Sequence, residues 1–504
     1  MAEKYVIGID LGTTSAKCAV YDLDGRTCAE AQREMQIDYP HPGEAEQNAE
    51  DFYTYSCDLI RECLSQGRIS GMDIAALGID SQMGGIMTID QDYNPVTRYD
   101  TPLDSRSGRQ NTWMHENFGD LIMEKCGSIS TFGNKILYWK EREEWKRIYK
   151  FIQPSAFAAG RLAGLSGDDA YMDETFICFS GFADLQRSAW SEELCSLMDV
   201  AVEKLPRICR STDVIGEISA RGAEDTGLPE GIPIAAGCGD QSAGFTGAGI
   251  VYPGQMVDVS GTACILGICS GSYAYDKTHR TLACMKAPVD SNYHLISVVL
   301  GGRTHKWFAE SFFPGKENIY PELDAKASEI PPGSGGLVSI NYLQGRFFPP
   351  EPEIRGCFIG HTWAHTPYHF YRAILESIAY DHYCTREIAL ELVPEINTRE
   401  ITAIGSGVKS DLWMQIKADV LQQKYQSLTR SDCATLGAAI IAARGAGLIP
   451  EGENLSDRFV SSDKIITPVP ENKKKYEKYI KIYRDLFPVL KNTYKELSGR
   501  EDEK

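Results

Sequence analysis

Short apolar runs that end in glycine and polar residues dominate the first half of the chain. The clearest runs are residues 5–9, 74–79 and 232–236. Their length favours buried strands, because helices usually need about 10–12 residues or more. Asp10 and Asp80 directly follow the first two runs, and Asp240 comes after the Gly-Cys-Gly turn that ends the third. The pattern therefore predicts strands whose carboxyl ends carry carboxylates.

Asp240 has two interpretations at this stage. A carboxylate just past a strand end, flanked by glycines, is well placed to act as a general base in a crevice. The alternative is that Asp240 caps the helix predicted by the small residues that follow it. The segment from 231 to 250 leaves both interpretations open.

Turns rich in glycine and hydroxyl groups occur near the start of each half. The first is Gly12-Thr13-Thr14-Ser15 and the second is Ser260-Gly261-Thr262. Backbone N–H groups and hydroxyls in such turns suit phosphate oxygens, and a neighbouring carboxylate such as Asp10 suits a bound cation. The first turn is not a GxxxxGK[ST] loop. The repeat predicts a duplicated α/β domain that closes on a nucleotide.

The second half also carries helical patterns. Apolar groups recur at helical spacing in residues 367–391 and 473–494, and a small-residue helix is predicted at 432–443. Arg372 and Glu376 stand at i, i+4 and are able to pair. Tyr476, Ile480 and Tyr483 form one stripe, which predicts that the last helix docks on the core. Residues 400–423 are expected to form a strand, a glycine turn and a helix.

Two polar segments are candidates for binding a polyhydroxylated ligand. Ser81 and Gln82 stand beside glycines and are able to hydrogen-bond such a ligand, although a simple strand crossing explains them equally well. Asp104 and Arg106 are two residues apart, so on an extended segment both point to one face. A surface ion pair is the alternative for the second pair.

Length and composition limit the number of domains, the kinds of partner and the cellular location. A chain of 504 residues favours two large domains, which we place at 1–248 and 249–504. The net charge of −19 argues against nucleic-acid and anionic-membrane partners. The 15 scattered cysteines, the absence of signal-peptide architecture and the absence of about 18 unbroken apolar residues together predict a cytoplasmic protein.

The ordered set of motifs resembles the FGGY carbohydrate kinases, which are two-domain proteins of the actin/hexokinase/Hsp70-like superfamily. The similar segments are GIDLGTTSAK at 8–17, PGEAEQN at 42–48, GNKILYWKE at 133–141, GCGDQSAGFTGAG at 237–249, SGTA at 260–263, residues 356–380 and GSGVKSDLWMQIKAD at 405–419. They run through nearly the whole chain. The resemblance implies an α/β fold of two RNase H-like domains with a cleft between them.

The resemblance also implies roles for individual residues. Asp240 is expected to be the general base that takes a proton from a sugar hydroxyl, which attacks the γ-phosphate of ATP. Asp10 is expected to help hold Mg²⁺. The expected nucleotide-side residues are Thr13, Thr14 and Lys17 near the transferred phosphoryl group, Gly261 and Thr262 along the phosphates, and Gly405, Gly407 and Ser410 beside the adenosine. Such loops, a cation and one base suffice for phosphoryl transfer.

On the sugar side the chain looks most like the xylulose-kinase-like branch but departs from it. Gln82 and Met83 match the usual Gln-Met-His-Gly, whereas the His position falls on Gly84. Asp104 and Arg106 are kept while a Trp and an Asn before them are lost, and Gln241 replaces an Asn after the base. Because hydrogen-bonding sites discriminate strongly, a larger ketose, a polyol or a sugar acid is expected in place of xylulose.

Two other functions remain as alternatives. One is a sugar- or nucleotide-binding regulator without catalysis, which the presence of both Asp10 and Asp240 disfavours. The other is an actin- or Hsp70-like ATPase, against which the sugar-side matches at Gln82, Asp104 and Arg106 count. The sequence leaves the oligomeric state open, with a homodimer as one option.

Overall fold

The protein is described by a computed structural model, which covers residues 4–394, 396, 400–430 and 432–498. Within these residues, the strands β1 to β15 of the N-terminal half are Tyr5–Leu11, Ser15–Asp22, Thr27–Glu34, Glu46–Gln47, Ile74–Ser81, Met87–Ile89, Tyr99–Asp100, Lys150–Ile152, Tyr171–Asp173, Ala183–Asp184, Ala189–Trp190, Arg207–Cys209, Val214–Glu217, Pro233–Ala235 and Cys238–Gly239. Its helices α1 to α7 are Ala49–Gly67, Gly108–Cys126, Gly133–Lys140, Pro154–Ala163, Glu192–Leu197, Ala220–Thr226 and Asp240–Gly247.

The C-terminal half is built from a second set of elements. Its strands β16 to β24 are Met256–Ser260, Cys264–Ser270, Ala283–Lys286, Tyr293–Val299, Val338–Ile340, Cys357–Ile359, Glu400–Ile404, Lys424–Leu428 and Ser462–Ile466. Its helices α8 to α14 are Gly301–Phe312, Tyr320–Ser328, Pro367–Leu392, Asp411–Leu421, Ala434–Gly445, Leu455–Phe459 and Lys473–Ser498.

Each half contains a mixed sheet, which has seven strands among the described residues. The order in the first sheet is β13-β14-β5-β1-β2-β3, with β15 also paired to β5. The order in the second is β18-β19-β17-β16-β22-β23-β24. In both sheets an antiparallel hairpin, β1–β2 or β16–β17, pairs with a parallel strand, β5 or β22. The predicted duplication of an α/β unit is therefore confirmed.

Asp10 and Asp80 lie inside their strands, whereas the sequence pattern placed them after the strands. β1 continues through Leu11 and β5 through Ser81, two residues beyond the apolar runs. The parallel pairing of these strands sets Asp10 directly opposite Asp80. The error arises because a polar side chain that points into a cleft interrupts the apolar run without ending the strand.

Helix α12 connects the two halves by packing on the N-terminal sheet. Glycines permit this contact, because a Cβ added at Gly8 would lie 1.8 Å from the Thr435 carbonyl oxygen. A Cβ at Gly78 would lie 2.2 Å from the carbonyl oxygen of Ala438. The division into 1–248 and 249–504 stays a prediction, and a helix from the second segment lies directly against the sheet of the first.

The long helices confirm the predicted stripes. Tyr476, Ile480 and Tyr483 of α14 are buried. On α10, the Arg372 Nε donates to Glu376 Oε1 at 2.8 Å in a buried pair. Among the described residues, no helix has both the length and the apolar character needed to cross a bilayer.

The contact between β5 and α12 predicts that Gly78→Ala destabilises the protein. The added methyl group meets main-chain atoms that no side-chain rotation can move away, and overpacking of this kind costs about 1–3 kcal/mol or more. Thermal unfolding measures the loss. Gly108→Ala is the matched control, because no atom lies within 4 Å of the Cβ added there. Equal melting temperatures for the two variants would contradict the prediction.

Candidate active site

Three aspartates from neighbouring strand ends meet at the edge of the N-terminal sheet. Asp10 is the last residue but one of β1 and Asp80 is the last but one of β5, and both side chains are buried. Asp240 follows β15, which pairs with β5 so that Cys238 lies opposite Asp80. Asp240 is half-buried. The fold thus brings together carboxylates that are far apart in the chain.

Crowding and burial change the acidity of these groups. Burial raises the pKa of Asp240 to about 7, and the charge of Asp10 adds to the effect. Burial also raises the pKa of Asp10 to about 6, although Lys17 acts in the opposite direction. A carboxylate whose pKa lies near neutrality is well matched to general-base work.

Asp240 is the first residue of α7, while the N-cap position belongs to Gly239. The Asp240 Oδ1 nevertheless accepts a hydrogen bond from the Gln241 N–H at 2.7 Å. This bond to the helix N-terminus stabilises the ionised carboxylate. The interpretation of Asp240 as the N-cap residue is therefore wrong, because Gly239 has that position. One carboxylate oxygen of Asp240 is nevertheless hydrogen-bonded to the first turn of α7.

The first hydroxyl-rich turn is linked by hydrogen bonds to the predicted sugar side. The Thr13 hydroxyl donates to Gln82 Oε1 at 2.9 Å, and Gln82 Nε2 donates to Gln47 Oε1 at 2.6 Å. Gln47 Nε2 returns a bond to the Thr13 carbonyl at 2.9 Å. Thr14 is exposed at the turn. Gln47 was not singled out from the sequence, although it lies in the PGEAEQN segment.

Lys17 lies beside this turn but pairs with a residue from the other half. Its Nζ is 2.7 Å from Asp432 Oδ2 and 3.9 Å from Asp10 Oδ2. Burial alone would lower the pKa of Lys17, but the nearby carboxylates of Asp432 and Asp10 hold this pKa above its ordinary value. Asp432 lies two residues before the start of α12. The sequence placed it only in a predicted helix, because its partner is 415 positions away.

The second turn meets the predicted adenosine segment. The Gly261 N–H donates to the Ala263 carbonyl at 3.2 Å. Gly405 has φ 90°, and a Cβ there would lie 2.8 Å from the Ser260 carbonyl oxygen. A Cβ at Gly407 would lie 2.6 Å from the Ser260 Cβ. The structure thus brings Ser260 and Gly261 next to Gly405 and Gly407, while the assignment of these residues to the nucleotide stays a prediction.

The end of that segment is the start of α11. The Ser410 Oγ accepts a hydrogen bond from the Trp413 N–H at 3.1 Å and so caps the helix. A cavity of about 710 Å³ borders this helix start, with Asp324, Lys409 and Asp411 among its lining residues. Ser410 therefore has a structural task as well as a position beside a cavity.

A buried charged network lies beneath the second turn. Lys417 Nζ is 2.8 Å from Asp258 Oδ1 and 2.6 Å from Ser260 Oγ. His382 Nδ1 is 3.2 Å from Asp258 Oδ2. Burial alone would raise the pKa of Asp258, but Lys417 and His382 hold it below its ordinary value. Lys417 gave no sequence signal, because a lysine on a helix is usually exposed.

The sugar-side pair is buried, so the surface interpretation is wrong. Arg106 Nη2 is 2.6 Å from Asp104 Oδ2 and 2.6 Å from Glu46 Oε1. Residues 101–106 contain turns at 102–103 and from 106 in place of an extended segment. The pair meets because Arg106 Nε donates back to Asp104 at 2.8 Å. The second cation, Lys135 of α3, donates to the carbonyls of Thr101 and Asp104.

Met83 lies between the sugar side and Asp240. A Cβ added at Gly239 would lie 2.4 Å from the Met83 Sδ, so this side chain packs directly against the residue that precedes Asp240. Gly84 has φ 86°, a conformation that glycine adopts without strain. Gln241 follows Asp240 and is half-buried. Met83 and Gln241 therefore adjoin Asp240, while Gln82 is bonded to the first hydroxyl-rich turn.

The cluster fits a divalent cation that also binds phosphate. Asp10 Oδ1 is buried and has no hydrogen-bond partner. In the part of the chain that the structure covers, no three His, Cys, Asp or Glu side chains are grouped to hold a metal ion on their own. Mg²⁺ typically uses one or two carboxylates together with substrate phosphates and waters, so the donor set suits a cation delivered with a nucleotide.

The paired sheets, with a hydroxyl-rich hairpin turn in each, define a two-domain α/β kinase fold. The model of the FGGY family of carbohydrate kinases, N-terminal domain, matches residues 5–247, and that of the C-terminal domain matches residues 261–446. These matches cover well over half of the chain, which therefore belongs to the FGGY family of carbohydrate kinases. Its members are ATP-dependent phosphotransferases with an alcohol group as acceptor.

Individual relatives are similar to this chain along nearly its full length. The chain is 28% identical over 495 residues to a xylulose kinase from Bacillus subtilis, covering 97% of this chain and 98% of the relative. It is 26% identical over 493 residues to a glycerol kinase from Methylibium petroleiphilum, covering 93% and 96%. A xylulose kinase structure from Lactobacillus acidophilus has a TM-score of 0.89 at 24% identity, covering 98% and 100%.

The network beneath the second turn predicts that Lys417→Met is strongly destabilising. Removing one partner of a buried ion pair leaves the other uncompensated and costs about 3–5 kcal/mol. The free energy of unfolding in denaturant measures this loss. Lys464→Met is the control, because Lys464 pairs with Asp411 on the surface and such pairs contribute about 0–1 kcal/mol. Similar losses for both variants would show that Lys417 does not anchor the turn.

Proposed function

We propose that Asp240 is the general base of this carbohydrate kinase. The observation that supports the proposal is that Asp240, after β15, and Asp10, on β1, lie at strand ends on either side of β5, close enough for the charge of Asp10 to raise the pKa of Asp240. Asp240 would take the proton from an acceptor hydroxyl as that oxygen attacks the γ-phosphate of ATP. Its carboxylate is oriented by the Gln241 N–H, which leaves the other oxygen for the substrate.

We assign the nucleotide to the two hydroxyl-rich turns, one from each half. Thr13, Thr14 and Lys17 would lie near the transferred phosphoryl group, and Gly261 and Thr262 along the phosphates. Gly405, Gly407 and Ser410 would contact the adenosine. Asp10 would hold Mg²⁺, which supplies charge neutralisation on the phosphate oxygens when it is bound. Closure of the halves would exclude water from the reaction.

We infer that the acceptor is a neutral ketose or polyol. A sugar acid needs a cation for its carboxylate, but Arg106 is already paired with Glu46 and Asp104. Lys135 is buried and donates to main-chain carbonyls. An additional carboxylate on this side would therefore meet a region whose positive charge is already balanced. The xylulose and glycerol kinases among the relatives support the same class.

We infer a cytoplasmic location on the basis of cysteine chemistry. Cys126, Cys178 and Cys284 are buried thiols without disulfides. Thiols in this state are typical of a reducing compartment.

The base assignment predicts that Asp240→Asn lowers kcat by about 10²–10⁴-fold, because the amide cannot accept the proton. A coupled assay of ADP release with Mg-ATP and a stimulating sugar measures the loss. Asp92→Asn is the control, since Asp92 is exposed and should leave kcat unchanged. Full activity in Asp240→Asn would remove Asp240 from the mechanism. ATP hydrolysis that no sugar stimulates would favour the ATPase alternative.

The charge balance around Arg106 predicts the outcome of a substrate panel. Neutral ketoses and polyols should give higher kcat/KM than sugar acids of the same chain length. The panel is run on the wild-type enzyme with the same ADP-release assay. A sugar acid with the highest kcat/KM would contradict the assignment of a neutral acceptor.

A further inference from the structure

Asp80 is a buried carboxylate to which the proposed reaction gives no task. It lies on β5, between β1 on one side and β15 on the other. Its exposed fraction is 0%, and neither carboxylate oxygen has a hydrogen-bond partner among the described residues. Burying such a group without a partner costs free energy. A side chain kept in this position therefore requires an explanation.

Among the described residues, no cationic side chain forms an ion pair with Asp80. Asp10 is directly opposite in the parallel register, and its Oδ1 also lacks a hydrogen-bond partner. The adjacent Ser81 hydroxyl is bonded to Ser155 at 3.1 Å and not to Asp80. Lys17 is the cation of this cluster, and its closest partner is Asp432 at 2.7 Å. One ammonium group thus faces several carboxylates.

A divalent cation would bind the carboxylate oxygens of Asp10 and Asp80 that accept no hydrogen bond from the described residues. Two carboxylates from adjacent strand ends supply unpartnered oxygens on the same side of the sheet. Mg²⁺ and Mn²⁺ prefer oxygen ligands, and Mg²⁺ commonly takes one or two carboxylates, with phosphates and waters completing its shell. The first hydroxyl-rich turn, where the phosphates are assigned, directly follows β1.

We propose that Asp80 and Asp10 together form a two-carboxylate site for the divalent cation that accompanies the nucleotide. Asp80 either contacts the ion or orients a water in its shell. The assignment rests on the proposed function, because it takes the phosphates to lie beside the first turn. It adds to that function a second carboxylate, to which the family motifs give no role.

The test is a titration of Mn²⁺ into the full-length protein in the presence of ADP, with free Mn²⁺ followed by electron paramagnetic resonance. Asp80→Asn keeps the shape of the side chain and removes its charge. We expect Mn²⁺ affinity to fall by about 10–100-fold, the range seen when groups that support a metal are removed. Affinity for ADP without metal, measured in EDTA, should stay within about twofold. Asp92→Asn should bind Mn²⁺ as the wild type does.

Several outcomes would overturn the proposal. If Asp80 only shares a proton with Asp10, the Asn amide replaces that donor, and Mn²⁺ affinity stays equal or rises. An equal loss of ADP affinity in EDTA would show that Asp80 supports the fold or the nucleotide and not the cation. Asp80→Ser is the second variant, and melting temperatures of both variants identify any folding defect.

Failure of this proposal and failure of the proposed function are distinguishable. The Mn²⁺ titration contains no sugar and measures no turnover. If no sugar is phosphorylated but Asp80→Asn still loses Mn²⁺, the cation site stands and the kinase mechanism falls. If Asp240→Asn abolishes turnover while Asp80→Asn binds Mn²⁺ normally, the mechanism stands and Asp80 has no role in the cation site.

Discussion

The absence of side chains at a few positions in the N-terminal sheet is the constraint on which the two-domain arrangement depends. Gly8 and Gly78 allow α12 to lie on β1 and β5 at main-chain distance. Gly247 and Gly437 do the same between α7 and α12, since a Cβ at either would lie 1.9 Å from a carbonyl oxygen. This contact brings Asp432, from the second half, to within 2.7 Å of Lys17.

Electrostatics then determines what the cleft is able to bind. The N-terminal edge concentrates carboxylates, with Asp10, Asp80 and Asp240 at neighbouring strand ends. The sugar side has balanced charges around Arg106, and the second turn rests on Lys417. This distribution of charge agrees with the proposed binding of a cation by the carboxylates and of a neutral hydroxylated acceptor on the sugar side.

The sequence predicted the strands and turns better than it predicted which side chains contact one another. Short apolar runs located β1 and β5, and glycine turns located both hairpins, because these signals are local. Asp104 and Arg106 were recognised as a sugar-side pair, with a surface ion pair as the alternative. Their contact with Glu46 of β4 was not predicted, because it joins residues 60 positions apart. Gln47, Asp432 and Lys417 were missed for the same reason. Their partners lie 34, 415 and 157 positions away.

The placement of α12 also has a consequence for the order in which the protein is made. The face of the N-terminal sheet formed by β1 and β5 is complete soon after residue 81 has been synthesised, but its cover begins at residue 434. During translation this glycine-lined face stays uncovered while more than three hundred further residues are synthesised. The nascent chain thus carries an open apolar surface through most of its synthesis, so the final assembly of the N-terminal half is post-translational or nearly so.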